Sequence, residues 1–308
     1  MKNIFIKLFK LNFINIIKFN LAKILKLYNF TFSTKFGKIF LDLENPGISK
    51  TLAYYGTREE EKLYLISEIL NQGDYVIDCG SNIGAYPIYI NKFVGKEGYI
   101  CMIEPDKRNI NTLNKNSKLL TCKNILIEGA ISDQTYLGKL FESDYTNLNS
   151  LDAINTPGKN FSSQEVQVIS IKDLLQRLPA EMRKFKLLRM DIEGGEIEVL
   201  KSIIENIDDI SISNILFENH PVQYEKKKQT MIELLKSFIK NKYKIDTIVS
   251  AGCDNIKELE LFKFSPSKIL ESDGRYRGLF KNIDPEDAIQ LIVNIPKLIR
   301  YVLLKKND

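Results

Sequence analysis

Val76-Ile77-Asp78-Cys79-Gly80-Ser81-Asn82-Ile83-Gly84 decides how this chain is read. An apolar run of strand length ends in an acid, and a glycine-punctuated loop then opens onto a helix-like pattern at 84–94. Gly80 lets the backbone turn tightly or pass close to a ligand, and Gly84 lets the helix start pack closely. Such a loop lies at the carboxyl end of a strand, where open α/β sheets bind ligands. Asn82 stands where a dinucleotide fingerprint has its central glycine, and the third glycine is missing. Pyrophosphate cradling, and with it a dehydrogenase, is therefore disfavoured. Asp78 suits a ligand with a positive amino group. The same residues also satisfy a tight βα turn that binds nothing.

Outward from this loop the grain is strand–helix alternation. Strands are expected at 75–79, 99–103, 124–128, 185–190, 212–217, 243–249 and 276–280. Helices fall at 84–94, 107–120, 171–178, 195–204 and 223–240 between them. That order predicts an α/β fold, a Rossmann-like and mostly parallel sheet of about seven strands with helices on both faces. Residues 131–163 are polar and aperiodic, and a long insertion of this kind is often functional. Residues 166–170 read as extended. Residues 285–306 read as an apolar, basic-ended helix interrupted at Pro296. Upstream, 3–28 read as a lysine-dotted apolar helix, 30–44 as a hairpin, 45–47 as a turn, and Thr57 with Glu60 as a capping box opening a helix over 63–70. The expected organisation is a basic N-terminal extension at 1–50, a central domain at 51–281, and a C-terminal helical extension at 282–308.

Charge is distributed unevenly. The 308 residues hold 44 Lys plus Arg and 39 Asp plus Glu, a net +5. Residues 1–50 contain nine lysines against Asp42 and Glu44, a net +7, which leaves −2 for the rest. A nucleic-acid groove is disfavoured for the main body, because phosphate binding needs clustered cations. The four cysteines (Cys79, Cys101, Cys122, Cys253) form no metal-ligand or disulfide pattern, which fits a reducing, cytoplasmic setting. Neither a membrane-spanning run nor a secretory signal is apparent. The basic arm fits a peripheral helix on the inner face of a membrane. It fits equally a helix packed on the domain, or a homo-oligomer contact through 1–28.

Three further constellations carry chemistry. Glu104-Pro105 ends the second expected strand, 26 positions after Asp78, where an acid can accept hydrogen bonds from both hydroxyls of a ribose. Asp191, Glu193 and Glu196 crowd the end of the fourth core strand in the run 189–196. Like charges this close raise one another's pKa, which suits a general base, a metal ligand or a hold on an ammonium group. Glu196 alone is also explained as a helix N-terminal acid. Glu218-Asn219-His220-Pro221 follows the fifth strand and holds the only histidine, a group suited to proton transfer near neutral pH.

Together, the segments 78–84 (DCGSNIG), 104–105 (EP), 190–196 (MDIEGGE) and 218–221 (ENHP) resemble the FkbM family of S-adenosylmethionine-dependent methyltransferases. Residues 147–151 and 166–175 resemble that family as well. The likeness covers roughly 55–280. Ser81 and Gly195 depart from residues common in the family. The resemblance implies a class I methyltransferase sheet. It implies a cofactor held by Glu59, Asp78, Gly80, Ser81, Asn82, Gly84, Glu104 and Pro105, with Ala130, Ser132 and Asp133 bordering the adenine and Asp191 nearby. It places Asp191, Glu193, Glu218 and His220 on the acceptor side and suggests an oxygen acceptor, often a sugar hydroxyl of a glycan. Asp191, His220 and Glu218 are the candidate catalytic residues. A divalent cation on Asp191, Glu218 and His220 is an alternative way to acidify the hydroxyl. The insertion, with Tyr136, Tyr145, Asn147 and Asn149, suits an acceptor wall. A lipid or small-molecule hydroxyl is the alternative acceptor, and a non-catalytic nucleotide- or glycan-binding module the alternative class.

Overall fold

The computed structural model describes residues 12–27, 29–44, 47–142, 149, 151, 162–178, 183–220, 223, 225–272, 274–295 and 297–307. The chain opens with helix α1 (Phe13–Leu25), the short strands β1 (Phe32–Ser33) and β2 (Lys38–Ile39), and helices α2 (Gly47–Tyr55) and α3 (Glu60–Ile69). The alternation that follows is β3 (Tyr75–Cys79), α4 (Ala85–Val94), β4 (Tyr99–Glu104), α5 (Lys107–Ser117) and β5 (Lys123–Glu128). Strands β6 (Ala130–Ser132), β7 (Tyr136–Glu142) and β8 (Ser162–Ser170) form a separate three-stranded sheet. Next come α6 (Ile171–Arg177), β9 (Lys184–Met190), α7 (Glu196–Glu205), β10 (Ser211–Glu218), α8 (Lys228–Lys240) and β11 (Tyr243–Ser250). The chain ends with α9 (Cys253–Leu261), β12 (Lys268–Ser272), β13 (Arg275–Lys281), α10 (Pro285–Asn294) and β14 (Ile299–Lys306).

The main sheet has nine strands in the order β12-β13-β11-β14-β10-β9-β3-β4-β5. From β10 to β5 all neighbours run parallel. β14 is antiparallel to both β10 and β11. This is the Rossmann-like class I methyltransferase sheet that the resemblance implies, with the β12–β13 hairpin added at one edge. Its strands are apolar on both faces, as buried parallel strands must be. Ile77, Cys101, Leu188, Ile215 and Val302 point to a core closed by α6, α7, α8 and α10. Val76, Ile100, Leu187, Leu216 and Leu303 point to a second core closed by α1 to α5.

Three expectations change. Residues 299–306 are not the second half of a helix but a strand, and that strand pairs inside the sheet rather than extending from it. Ile299, Tyr301 and Val302 are β-branched or aromatic and suit a pleated surface. A short apolar run bounded by lysines is ambiguous by periodicity alone. The expected irregular insertion contains β6, β7 and the start of β8, while most of 143–161 lies outside the described residues. Of the expected turn at 45–47, Gly47 instead opens helix α2, and 45–46 lie outside the described residues. Among the described residues, no helix is long and apolar enough to cross a membrane.

Candidate active site

The parallel strands β3, β4, β9 and β10 end along one edge of the sheet. β14, being antiparallel, begins at that edge. A cavity of about 600 Å³ opens there, within the range that holds small ligands. Its wall takes Gly80, Ser81 and Asn82 from the loop after β3, and Glu104 and Pro105 from the end of β4. Ala130 and Ser132 come from β6, Asp191 and Glu193 from the turn after β9, Glu218 from β10 and Glu59 from the start of α3. Tyr136 and Asn149 of the insertion also line it. Tyr145, Asn147 and Pro221 lie outside the described residues.

The Gly80 loop follows from its backbone angles. Gly80, Asn82 and Gly84 all have positive φ, at 77°, 50° and 87°. A Cβ on Gly80 would sit 2.1 Å from the Asp191 carbonyl oxygen, so no other residue lets the β3 and β9 loops approach this closely. Gly80 and Ser81 donate their N–H groups to the Ile103 carbonyl, which ties the loop to β4.

Glu104 is buried and receives three donors. Asn82 N–H reaches Oε2 at 2.7 Å, while Asp106 N–H and the Asn109 amide reach Oε1 at 3.0 and 3.1 Å. Burial pushes its carboxyl up to about 7 despite these hydrogen bonds.

Asp78 does not reach the cavity as a free acid. Arg189 Nη1 donates to its Oδ1 at 3.0 Å and the Ser81 hydroxyl donates to its Oδ2 at 2.7 Å. Both carboxylate oxygens are used inside the protein, so Asp78 holds Arg189 and the loop rather than presenting its charge to an amino group. Gly84, Asp133 and His220 also lie behind the cavity wall: Gly84 packs on Leu113 and Asn116 of α5, and Asp133 pairs with Lys201 at 3.1 Å.

The acids of the sheet edge are interleaved with buried cations, none of which was singled out from sequence. Lys62 Nζ lies 2.9 Å from Glu59 Oε2, 2.9 Å from Asp191 Oδ2 and 3.4 Å from Glu218 Oε2. Arg189 Nη2 donates to Asp191 Oδ2 at 2.6 Å. Arg300, at the start of β14, bridges Glu59 at 2.7 Å and Glu218 at 3.2 Å. Arg58 and the Tyr86 hydroxyl also meet Glu59. Burial alone would raise Asp191 and Glu59. Lys62 and Arg189 outweigh it for Asp191, and Arg58, Lys62 and Arg300 for Glu59, so both stay below the usual carboxylate range. The helical register of α3 was the available signal for Lys62, because Lys62 stands one turn after Glu59.

The turn after β9 separates the remaining acids. Glu193 adopts φ 51° and Gly194 φ 100°. Glu196 folds back to accept the N–H groups of Ile192 and Gly194 at 3.3 and 3.1 Å. His220 Nδ1 lies 3.0 Å from Glu196 Oε1, and its Nε2 lies 3.6 Å from Glu193 Oε2. Burial disfavours a charged imidazole, but Glu196, Glu218 and Glu193 outweigh it and raise His220 to about 10. His220 is therefore a cation at neutral pH, which donates a proton rather than accepting one. Burial, joined by Asp191, Glu218 and Glu196, raises Glu193 to about 8 against the pull of His220.

A metal centred on Asp191, Glu218 and His220 finds no matching cluster. The ligand atoms that fall within 4.8 Å of one another belong to Asp191, Glu193 and His220. Glu218 faces Lys62 and Arg300 instead. Asp191 already meets Lys62 and Arg189, so the local charge that a divalent ion would supply is supplied by side chains.

Among curated proteins the chain is similar to Methyltransferase 1 of Beauveria bassiana, at 24% identity over 47% of this chain and 64% of that protein. It is similar to the hexuronic acid methyltransferase AglP of Haloferax volcanii, at 24% identity over 53% of this chain and 62% of that protein. It therefore spans less than two thirds of either relative. Among solved structures it is similar to the precorrin-6y C5,15-methyltransferase of Geobacter metallireducens, at 10% identity and a TM-score of 0.39, over 81% of this chain and 90% of that one. Residues 78–245 match the family model for the methyltransferase FkbM domain. That match takes in the Gly80 loop, Glu104 and the turn that carries Asp191 and Glu193, and it covers more than half of the chain, which belongs to that family.

Proposed function

We propose that the chain is an S-adenosylmethionine-dependent methyltransferase acting on a hydroxyl oxygen, with a sugar of a glycan or glycoconjugate as the acceptor. The observation that carries this reading is a cavity whose wall includes both Glu104 and Glu193. The cofactor fits the residues present. Glu104, whose carboxylate takes three donors from the protein, keeps an acceptor site on Oε2 for a ribose hydroxyl, Ala130 and Ser132 border the adenine end, and the Gly80–Asn82 backbone receives the methionine half.

Bound there, the cofactor supplies an electrophilic methyl group. The protein aligns the acceptor with that methyl and excludes water. A neutral hydroxyl is a poor nucleophile and needs a base. Asp191 is held too acidic by Lys62 and Arg189, and His220, raised higher than Glu193, lies behind the cavity wall. Glu193 lines the cavity and takes the acceptor's proton, so that its oxygen can attack. His220, beside Glu193, steadies the resulting charge pattern. Tyr136 supplies an aromatic face suited to a sugar ring, while the Asn149 amide is held by Asp106 and Arg108. The hexuronic acid named for the Haloferax volcanii relative supports a sugar acceptor.

The test is methyl transfer from labelled cofactor to a cell glycan fraction, followed by mass spectrometry of the sugars. Label in a sugar methyl ether supports the reading. Tight binding of the demethylated cofactor with label found only in lipid or small molecules refutes the acceptor. No cofactor binding at all refutes the function.

A further inference from the structure

Helix α1 has two apolar faces. Asn15, Phe19 and Ala22 are buried against the domain, and the Asn15 amide donates to the Ser33 carbonyl at 2.8 Å. Asn12 N–H bonds the Tyr54 carbonyl at 2.7 Å, which seats the helix beside α2. On the other side Phe13, Ile14, Ile17, Leu21, Ile24 and Leu25 are between 51% and 74% exposed. At about 100° per residue these six fall in one arc of roughly 120°, opposite the buried residues. An exposed apolar stripe of this size marks a contact surface.

Charge selects the occupant. Residues 12–27 carry Lys18, Lys23 and Lys26 and no acid, and all three lysines are exposed. On the same wheel Lys18 lies about 20° beyond the edge of the arc, so two copies meeting through this face would set the two Lys18 ammonium groups together with no carboxylate from either helix, an arrangement that self-repels. An anionic lipid leaflet accepts both features: apolar side chains enter the acyl boundary, and lysine stems reach back to headgroup phosphates. We infer that α1 is an interfacial anchor which docks the protein on an anionic membrane surface through the Ile14–Ile17–Leu21–Ile24 stripe.

Flotation of the full chain with vesicles of phosphatidylcholine, alone or mixed with phosphatidylglycerol, tests this. The wild-type chain is expected to float with the mixed vesicles and to be released by salt. The combined change Ile17→Glu, Leu21→Glu and Ile24→Glu abolishes flotation and leaves the melting temperature unchanged, because these side chains touch solvent. Lys18→Glu, Lys23→Glu and Lys26→Glu together weaken partitioning by about a hundredfold or more, at about a factor of five per lysine lost near the surface. A wild-type chain that stays in the dense fraction overturns the inference. So does a stripe variant that floats as well as wild type. A wild-type dimer in sedimentation velocity that the stripe variant converts to monomer, without flotation of either, assigns the face to a second copy and overturns it equally.

Discussion

Glu104→Gln isolates the group proposed to hold the ribose. Three donors converge on the carboxylate: Asn82 N–H on Oε2, and Asp106 N–H with the Asn109 amide on Oε1. A glutamine keeps one acceptor oxygen. Turned toward Asp106 and Asn109, it sets its own NH2 against the Asn82 N–H. Turned the other way, it opposes two donors. An unsatisfied buried donor costs about 1–3 kcal/mol, and a charge-assisted hydrogen bond to a ribose hydroxyl is worth about 1.5–3 kcal/mol. The unsatisfied donor is there with or without the cofactor and lowers stability, so the cost in cofactor affinity is the lost hydrogen bond, about 1.5–3 kcal/mol, a weakening of roughly tenfold to a hundredfold. The pH dependence is a second, independent signature. Burial raises Glu104 to about 7, so below that pH the ligand-free carboxyl is neutral. Ribose hydroxyls donate and favour the ionised form. Binding at lower pH must therefore release a proton, and the wild-type Kd is expected to rise toward about tenfold per pH unit below 7. The variant has no such group and stays flat. Calorimetric titration with S-adenosylhomocysteine at several values between about pH 6 and 8 reads both effects. A Gln variant that binds within about threefold of wild type refutes the ribose assignment, given the size of the terms above. A wild-type Kd that does not move with pH refutes the neutral carboxyl.

Three further outcomes follow from the geometry. Glu193→Gln should lower kcat by about 10²- to 10⁴-fold with cofactor affinity unchanged, and wild-type kcat/KM should rise with pH toward a plateau above about 8. A Gln variant with normal turnover moves the base elsewhere. Lys62→Met removes the ammonium shared by Glu59, Asp191 and Glu218, which should cost about 3–5 kcal/mol at neutral pH and show as a lower melting temperature. Because Glu59 and Asp191 are held below their ordinary pKa, that loss should shrink as acid protonates them, and an unchanged melt would show that the arginines suffice. Val302→Asp places an unpaired carboxylate in the centre of the sheet and should leave no folded protein, whereas the same change in an appended helix would be mild.

The sheet was legible because its signals are local. A strand, a glycine loop and a helix recur in the order that a parallel sheet demands, and the acids at 78, 104, 191 and 218 mark strand ends directly. β14 was not legible, since a strand of eight residues with lysines at its end and an apolar approach carries no period that separates it from a helix. Losing β14 also lost Arg300, because only an antiparallel strand beginning at the ligand edge brings a residue so near the C-terminus beside Glu59 and Glu218. The role of His220 misread for a related reason. Its position at a strand end is plain, but its protonation depends on Glu196, which folds back through a turn that sequence spacing does not reveal.

That dependence explains why a row of acids is informative here only once its cations are known. Glu59 and Asp191 could not remain ionised in a buried edge by themselves, since burial favours the neutral acid. Lys62, Arg189 and Arg300 arrive from α3, β9 and β14 and convert the row into a fixed electrostatic frame. Within that frame most carboxylates are committed to structure. Glu104 and Glu193 differ, because at both burial wins and the pKa moves up toward neutrality. One sits where a nucleoside hydroxyl would donate and the other where an acceptor hydroxyl would lose its proton. On the proposed function the chemistry falls to the acids that the cations leave near neutrality, and an Arg189→Met variant that shifted the pH profile of Glu193 without touching Glu193 itself would show the frame acting at a distance.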